Sequence, residues 1–93
     1  MLFIVTWTAR PEHRNVALQR FVKTGGKPPE GVKFIGRWHA VGRITGFAIA
    51  ESNDLAQIEK WVLDWNDLLS MDVYPALTDE QIGPLAASAI GKA

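Results

Sequence analysis

Hydrophobic and polar positions along this chain follow two periods that divide it into six segments. Four segments of seven residues are rich in β-branched and aromatic side chains, as strands are. Two segments between them carry apolar residues at the three-and-four spacing of a helix. Their order is strand, helix, strand, strand, helix, strand, which predicts an α+β, ferredoxin-like antiparallel sheet with two helices on one face. The predicted strands cover residues 2–8, 33–39, 45–51 and 71–77.

Residues at the segment ends predict where each helix begins and ends. Pro11 suits the first turn of a helix, and Gly25-Gly26 suits the end of that helix, near residue 24. Ser52 or Asn53 is expected to cap the second helix. The apolar stripes comprise Ala17, Leu18, Phe21 and Val22 in the first helix, and Leu55, Ile58, Trp61, Val62, Trp65, Leu68 and Leu69 in the second.

The last strand and the tail carry their own signals. Pro75 cannot donate to a sheet ladder, so this part of the strand is expected at an edge or a bulge. Thr78 and Gln81 have the spacing of a capping box, which predicts a short helix. Gly83-Pro84 is expected to interrupt that helix before it resumes over residues 85–90. Residues 78–93 are thus a C-terminal extension of a single domain that spans residues 1–93.

Side-chain parity along the strands assigns residues to the two faces of the sheet, because successive strand residues point to opposite sides. The larger apolar side chains are expected under the helices. The predicted helix-facing set is Phe3, Val5, Trp7, Phe34, Trp38, Phe47, Ile49, Met71 and Val73. The predicted opposite set is Leu2, Ile4, Thr6, Thr8, Ile35, Arg37, His39, Ala48, Ala50, Asp72 and Tyr74.

The face without helices needs a cover, and a second copy of the chain is the expected one. Two such faces would close a barrel with room above the small residues Ala48 and Ala50. Ligand pockets combine apolar walls with a few polar groups in this way. The polar groups predicted inside the barrel are Thr6, Arg37, His39, Asp72 and Tyr74.

Composition narrows the function classes. The 93 residues carry 10 basic and 10 acidic side chains without a basic run, which disfavours nucleic acid as a partner. No cysteine is present, so disulfides, thiolate metal sites and cysteine nucleophiles are excluded. The apolar start, residues 1–7, is short for a signal peptide and is interpreted as the first strand. No segment has the length of a membrane span, so a cytoplasmic location is expected.

Candidate chemistry centres on the second strand. His39 is the candidate acid or base because histidine titrates near neutrality, and Arg37 is the candidate clamp for an anion. Tyr74 could donate a phenolic hydrogen bond, Asp72 could orient His39 or pair with Arg37, and Thr6 would line the pocket. Each of these residues has a plainer interpretation, at a strand end or in a dimer interface.

No cofactor is expected from the residues. His13 and His39 lie on different elements without an acidic residue at ligand spacing, which gives little support to a metal site. The only paired glycines, Gly25-Gly26, follow a helix, whereas a phosphate loop follows a strand. Trp7, Trp38, Trp61 and Trp65 occupy predicted core positions, which favours packing over a stacking or haem site.

The chain resembles a small bacterial family known only as a domain of unknown function. The resemblance rests on the opening residues 1–7, the connector 23–33, the Gly36–His39 motif and the segment 61–69. It implies a dimeric α+β barrel and no particular activity. Residues 35–77 are also faintly similar to muconolactone isomerases, but Ile4 stands in the middle of the first strand in place of a polar residue.

Two hypotheses from different classes follow. In the first, a homodimeric barrel binds a small, partly apolar or anionic molecule, with or without cofactor-free catalysis of an isomerase-like or monooxygenase-like kind. This predicts that Arg37→Ala and His39→Ala leave folding intact and abolish ligand retention. In the second, the dimer is a non-catalytic interaction module, and the same substitutions weaken the dimer itself. Similar barrels serve unrelated functions, so the fold does not decide between them.

Overall fold

A computed structural model describes residues 1–91. Its four strands form one antiparallel sheet in the order β2-β3-β1-β4, which confirms the ferredoxin-like α+β prediction. Helices α1 and α2 both pack on the face that carries Val5. The elements are β1 (Leu2–Ala9), a single 3-10 turn (Pro11–His13), α1 (Arg14–Thr24), β2 (Lys33–His39), β3 (Thr45–Glu51), α2 (Leu55–Leu63), β4 (Leu69–Ala76) and α3 (Asp79–Gly91).

The helix termini confirm part of the predicted helix boundaries. Helix α1 ends at Gly25, which has a left-handed φ of 72° and donates its backbone N–H to Phe21 O at 2.7 Å. The predicted cap of α2 is wrong, because Asp54 caps it by accepting from the backbone N–H of Ala56 at 3.0 Å. Ser52 instead donates its hydroxyl to Gly31 O at 2.7 Å, which ties the connector before β2 to the start of α2.

Helix α2 is shorter than its apolar stripe suggests. It ends at Leu63, and a run of turns leads to β4, which begins at Leu69. Trp65, which lies in these turns, is still buried in the core. Strand β4 is an edge strand, which confirms the expectation drawn from Pro75.

Parity predicts the faces of β1 and β4 correctly and that of β3 incorrectly. Val5 pairs with Ala48 and Val73, and all three lie under the helices. Phe47 and Ile49 therefore point to the open face, whereas Ala48 and Ala50 are fully buried. The physical reason is volume. The indoles of Trp61 and Trp65 pack in one cluster with Ala48 and Ala50, so β3 needs small residues beneath them.

A β-bulge reverses the faces midway along β2. Phe34 pairs with Ala50, but Gly36 pairs with Ile49, so two steps on β2 match one on β3. Phe34 keeps its predicted place under the helices, where its ring meets Trp61 edge-on at 6.3 Å. After the bulge the predictions for Trp38, Arg37 and His39 are wrong. Trp38 lies on the open face against Phe47, while Arg37 and His39 face the helices.

Helix α3 continues through Gly83-Pro84 without the predicted interruption. The predicted capping box is confirmed: Thr78 N–H donates to Gln81 Oε1 at 2.8 Å, and Gln81 N–H donates to Thr78 Oγ1 at 3.3 Å. Every residue of α3 is exposed. Of the predicted extension, residues 92–93 lie outside the described part of the chain. Within residues 1–91, no helix combines the length and the apolar character needed to cross a membrane.

Candidate functional site

A cavity of about 320 Å³ lies between the sheet and helices α1 and α2. Val5 and Ala48 form its floor, and the indoles of Trp61 and Trp65 line it from the α2 side. Its size and apolar walls are those of a small-molecule site. The remaining lining residues are Trp7, Arg14, Ala17, Leu18, Phe21, Arg37, His39, Arg43, Ile44, Thr45, Leu69 and Met71.

One wall of the cavity depends on a glycine, Gly46, which has no side chain. Gly46 pairs with both Trp7 and His39, and a Cβ added to Gly46 would lie 2.6 Å from the Trp7 indole. The indole thus lies across the glycine and meets the His39 ring edge-on at 5.6 Å. Gly46 thereby allows Trp7 and His39 to form one continuous aromatic wall.

His39 stands at the mouth of the cavity, and its ring is positioned by aromatic contacts. Trp7 and Phe21 each approach the imidazole edge-on, with ring centroids 5.6 Å away. Neither ring nitrogen has a hydrogen-bond partner among residues 1–91. The side chain is exposed, so both nitrogens can reach a molecule that enters.

Arg37 is engaged by the protein itself. Its Nη1 donates to Gly26 O and its Nη2 to Gly25 O, both at 3.1 Å. The guanidinium lies between two rings, 5.0 Å from the centroid of Phe21 and 4.8 Å from that of Phe34. Burial lowers the pKa of Arg37 below its ordinary value. Arg37 therefore fastens the end of α1 to β2 with two of its five N–H groups.

Two further arginines, Arg14 at the start of α1 and Arg43 in the β2–β3 turn, line the same cavity. Both are exposed, and neither forms a salt bridge within residues 1–91. Among the described residues, the cavity lining contains no aspartate or glutamate. Fixed positive charge beside a low-dielectric wall attracts anions, so this mouth favours a negatively charged group.

The structure divides the five predicted site residues into two groups. Arg37 and His39 line the cavity. Thr6, Asp72 and Tyr74 lie on the opposite face of the sheet, where Thr6 pairs directly with Asp72. The expectation that Asp72 orients His39 or pairs with Arg37 is therefore wrong, because the sheet separates these side chains.

Sequence reasoning missed Arg14 and Arg43. Arg14 precedes Ala17 and Phe21 by three and seven residues, which places it on the helix face that lines the cavity. That spacing was available from the sequence. Arg43 gave no such signal, because the course of the β2–β3 turn decides where its side chain points.

A second arginine, Arg20, supports Trp65, which lines the cavity. Arg20 makes two hydrogen bonds of 2.8 Å to the carboxylate of Asp67 and a third of 2.7 Å to Asp64 O. Its guanidinium also lies 5.5 Å from the Trp65 ring centroid. The hydrogen bond lowers the pKa of Asp67 and raises that of Arg20. This arginine holds α1 to the turns after α2 and thereby supports Trp65.

Comparison with known families assigns the chain to a family but does not assign it an activity. A family model described as Domain of unknown function (DUF3303) matches residues 1–90, so the chain belongs to that family. The resemblance of the sequence to a domain of unknown function is thereby confirmed. No curated protein matches the chain. Among the described residues, no group of three or more histidine, aspartate or glutamate side chains is placed to hold a metal ion.

Proposed function

We propose that this member of a family without an assigned function is a homodimer whose subunits each bind a small, largely apolar molecule with an anionic group. The observation that carries the proposal is the 320 Å³ cavity with aromatic walls and, among the described residues, two arginines without salt bridges, a histidine at its mouth and no carboxylate in the lining. Arg14 donates its Nε to Asn15 Oδ1 at 3.1 Å, which leaves its Nη groups for a ligand. The binding site lies within one subunit, between sheet and helices, rather than in the barrel between two sheets.

The cavity specifies the shape of its ligand. The apolar part of the molecule enters between Trp61, Trp65 and Met71, and the aromatic walls favour a flat ring. The anionic group stays at the mouth, where Arg14 and Arg43 reach it. Arg37 acts as a positioning residue, because it shapes this wall through Gly25 and Gly26.

His39 is the group in the cavity suited to exchange a proton with the bound molecule. Its ring is oriented by Trp7 and Phe21 while both nitrogens stay available. An imidazole can donate a proton at one nitrogen and accept one at the other, which suits a general acid or base. Tyr74 lies on the other face and takes no part in this chemistry. A cofactor-free proton transfer is thus the catalytic form of the proposal.

The proposed homodimer rests on surface left uncovered by one protomer. The chain exposes 6720 Å², whereas a compact monomer of 10.3 kDa exposes about 5,400 Å². Its radius of gyration is 15.9 Å, against about 12 Å for a compact domain of this length. The open sheet face carries Trp38 stacked on Phe47 at 5.2 Å, both about half exposed. A second copy would cover this apolar face.

A binding titration with a charged probe and its neutral isostere tests the ligand proposal. 2-Naphthoate and 2-naphthamide have the same shape, and the indoles of Trp61 and Trp65 should report either by a change in fluorescence. We expect naphthoate to bind severalfold more tightly. Replacing both Arg14 and Arg43 by methionine should remove this preference and leave naphthamide binding unchanged. Arg10→Met, at an exposed arginine outside the cavity lining, is the matched control.

A second variant tests whether the cavity is the site. Ala17 is buried in the cavity lining, and Ala17→Leu puts a larger side chain into the space. Binding of both probes should be lost in this variant, while its far-ultraviolet circular dichroism stays the same. If neither probe binds the unmodified chain, or if Ala17→Leu binds both normally, the cavity is not a ligand site.

A non-catalytic dimeric module is the second candidate function. The exposed stack of Trp38 and Phe47 favours it, because an apolar pair of this kind belongs in an interface. In that case Trp38→Ser weakens the dimer and neither probe binds. Under the ligand proposal the same variant weakens the dimer, but naphthoate still binds.

A further inference from the structure

We infer that α3 is an exchanged arm that packs its apolar stripe against the second copy of the chain. The inference rests on the proposed homodimer and assigns to the interface an element other than the sheet. Helix α3 follows β4, the edge strand, and carries an apolar stripe formed by Ile82, Leu85, Ala86, Ala89 and Ile90.

Within residues 1–91, the stripe is largely uncovered by its own chain. Ile82 is 46% exposed, Leu85 58% and Ile90 75%, and α3 buries no residue. Helices of this length rarely persist in water on their own, because most helical stability comes from packing of the apolar face. The stripe therefore indicates a surface that lies outside the protomer.

The protomer is elongated, as expected if α3 projects from the sheet. The chain measures 52 × 30 × 18 Å along its principal axes. A helix of 13 residues is about 20 Å long, so a projecting α3 accounts for much of the longest dimension. The surplus of roughly 1,300 Å² over a compact monomer exceeds the ~800 Å² that each partner buries in a stable complex.

The connection between β4 and α3 is short, and the first turn of the helix is fixed by hydrogen bonds. Only Leu77 and Thr78 join β4 to α3, and the reciprocal hydrogen bonds between Thr78 and Gln81 fix the first turn of the helix. The capping box lies within the first turn of α3, so the helix leaves β4 as one rigid element with Leu77 as its short link.

Charge favours a second copy over a lipid surface as the occupant. The charged residues of α3 within 79–91 are Asp79 and Glu80, and that range contains no lysine or arginine. Helices that lie on anionic membranes carry basic residues on their polar face. A second copy offers an open sheet face with apolar residues such as Ile49 and Phe47.

Two adjacent alanines provide a matched test. Ala86 lies on the stripe and Ala87 off it, both are exposed in the protomer, and an aspartate changes helix propensity equally at either position. By sedimentation velocity, we expect Ala86→Asp to raise the dimer dissociation constant at least tenfold. Ala87→Asp should change it less than twofold. Equal effects of the two variants, or none from Ala86→Asp, would overturn the arm while the dimer stands.

Amide hydrogen exchange separates the arm from the dimer itself. Ile49→Asp places a charge in the open sheet face and should give a folded monomer. In the unmodified dimer the α3 amides should be protected, and in the Ile49→Asp monomer they should exchange freely. Protection that persists in the monomer shows α3 packed on its own chain and refutes the arm. An unmodified chain that sediments as a monomer refutes the proposed homodimer and the arm together.

Discussion

Replacing Arg37 should destabilise the fold as well as change the cavity, in contrast to the expectation drawn from the sequence. Arg37→Met keeps the length of the side chain but removes the guanidinium. The variant loses two hydrogen bonds, to Gly25 O and Gly26 O, and the stacking on Phe21 and Phe34. The end of α1 is then no longer fastened to β2.

The size of the effect follows from these contacts. Each hydrogen bond stabilises a half-buried site by about 1 kcal/mol, and each cation–π contact by about 0.5–1 kcal/mol. The expected loss is about 3 kcal/mol in the free energy of unfolding. For a domain of this length that lowers the melting temperature by about 10 °C or more. Arg37→Lys should recover less than half, because one ammonium group cannot serve both carbonyls and both rings.

Urea unfolding at a single fixed protein concentration measures the loss, because dimerisation makes stability depend on concentration. Arg43→Met is the control, since Arg43 lines the same cavity without a salt bridge in the described chain. It should stay within about 0.5 kcal/mol of the unmodified chain. Arg37→Met that is equally stable yet fails to bind 2-naphthoate would contradict the positioning role and restore Arg37 as an anion clamp.

Three further outcomes follow from single contacts. Gly26→Ala should destabilise the chain by more than 1 kcal/mol in urea unfolding, because Gly26 has φ +60° and the new Cβ would overlap Arg37 Nη1. Gly83→Ala gains helix propensity but adds a Cβ beside the ring of Pro84, so thermal stability should rise by less than the ~1 kcal/mol that this exchange gives inside a regular helix. Asp67→Asn should make the free energy of unfolding depend less on pH under acidic conditions. The pKa of Asp67 is lowered by Arg20, so its stabilising contribution is present above about pH 4 and disappears as the pH falls through the lowered pKa. If the free energy of unfolding falls equally with decreasing pH in Asp67→Asn and in the unmodified chain, this last expectation is wrong.

Local signals predicted the element order, the edge position of β4 and the capping box of α3. These features depend on residues close in sequence, such as Pro75 and the Thr78–Gln81 pair. The face of β3 required knowledge of its partners. Parity predicts the large residues of β3 under the helices. Trp61 and Trp65, however, pack onto the sheet from the helix layer and need Ala48 beneath them. The size of a strand residue alone does not tell which layer supplies the bulk.

The candidate site was predicted in part. An alanine floor with Arg37 and His39 beside it exists, but on the helix side of the sheet. The bulge in β2 moved these two residues away from Asp72 and Tyr74. Gly36 inside the strand is a signal for a bulge, but only the pairing with β3 shows that the extra residue is there and turns Arg37 and His39 to the other face. The role of Arg37 was likewise hidden, since its partners at Gly25 and Gly26 lie on another element.

The β2 bulge decides which face of the sheet receives Arg37 and His39. If Ile35 paired with Ile49 in a regular ladder, Trp38 would face the cavity, and Arg37 and His39 would join the surface proposed to meet the second copy. Because Ile35 is the unpaired residue, a chain without it would keep Gly36 and Arg37 opposite their present partners and on their present faces. One extra residue thus separates the ligand-facing side chains of this strand from its interface-facing surface.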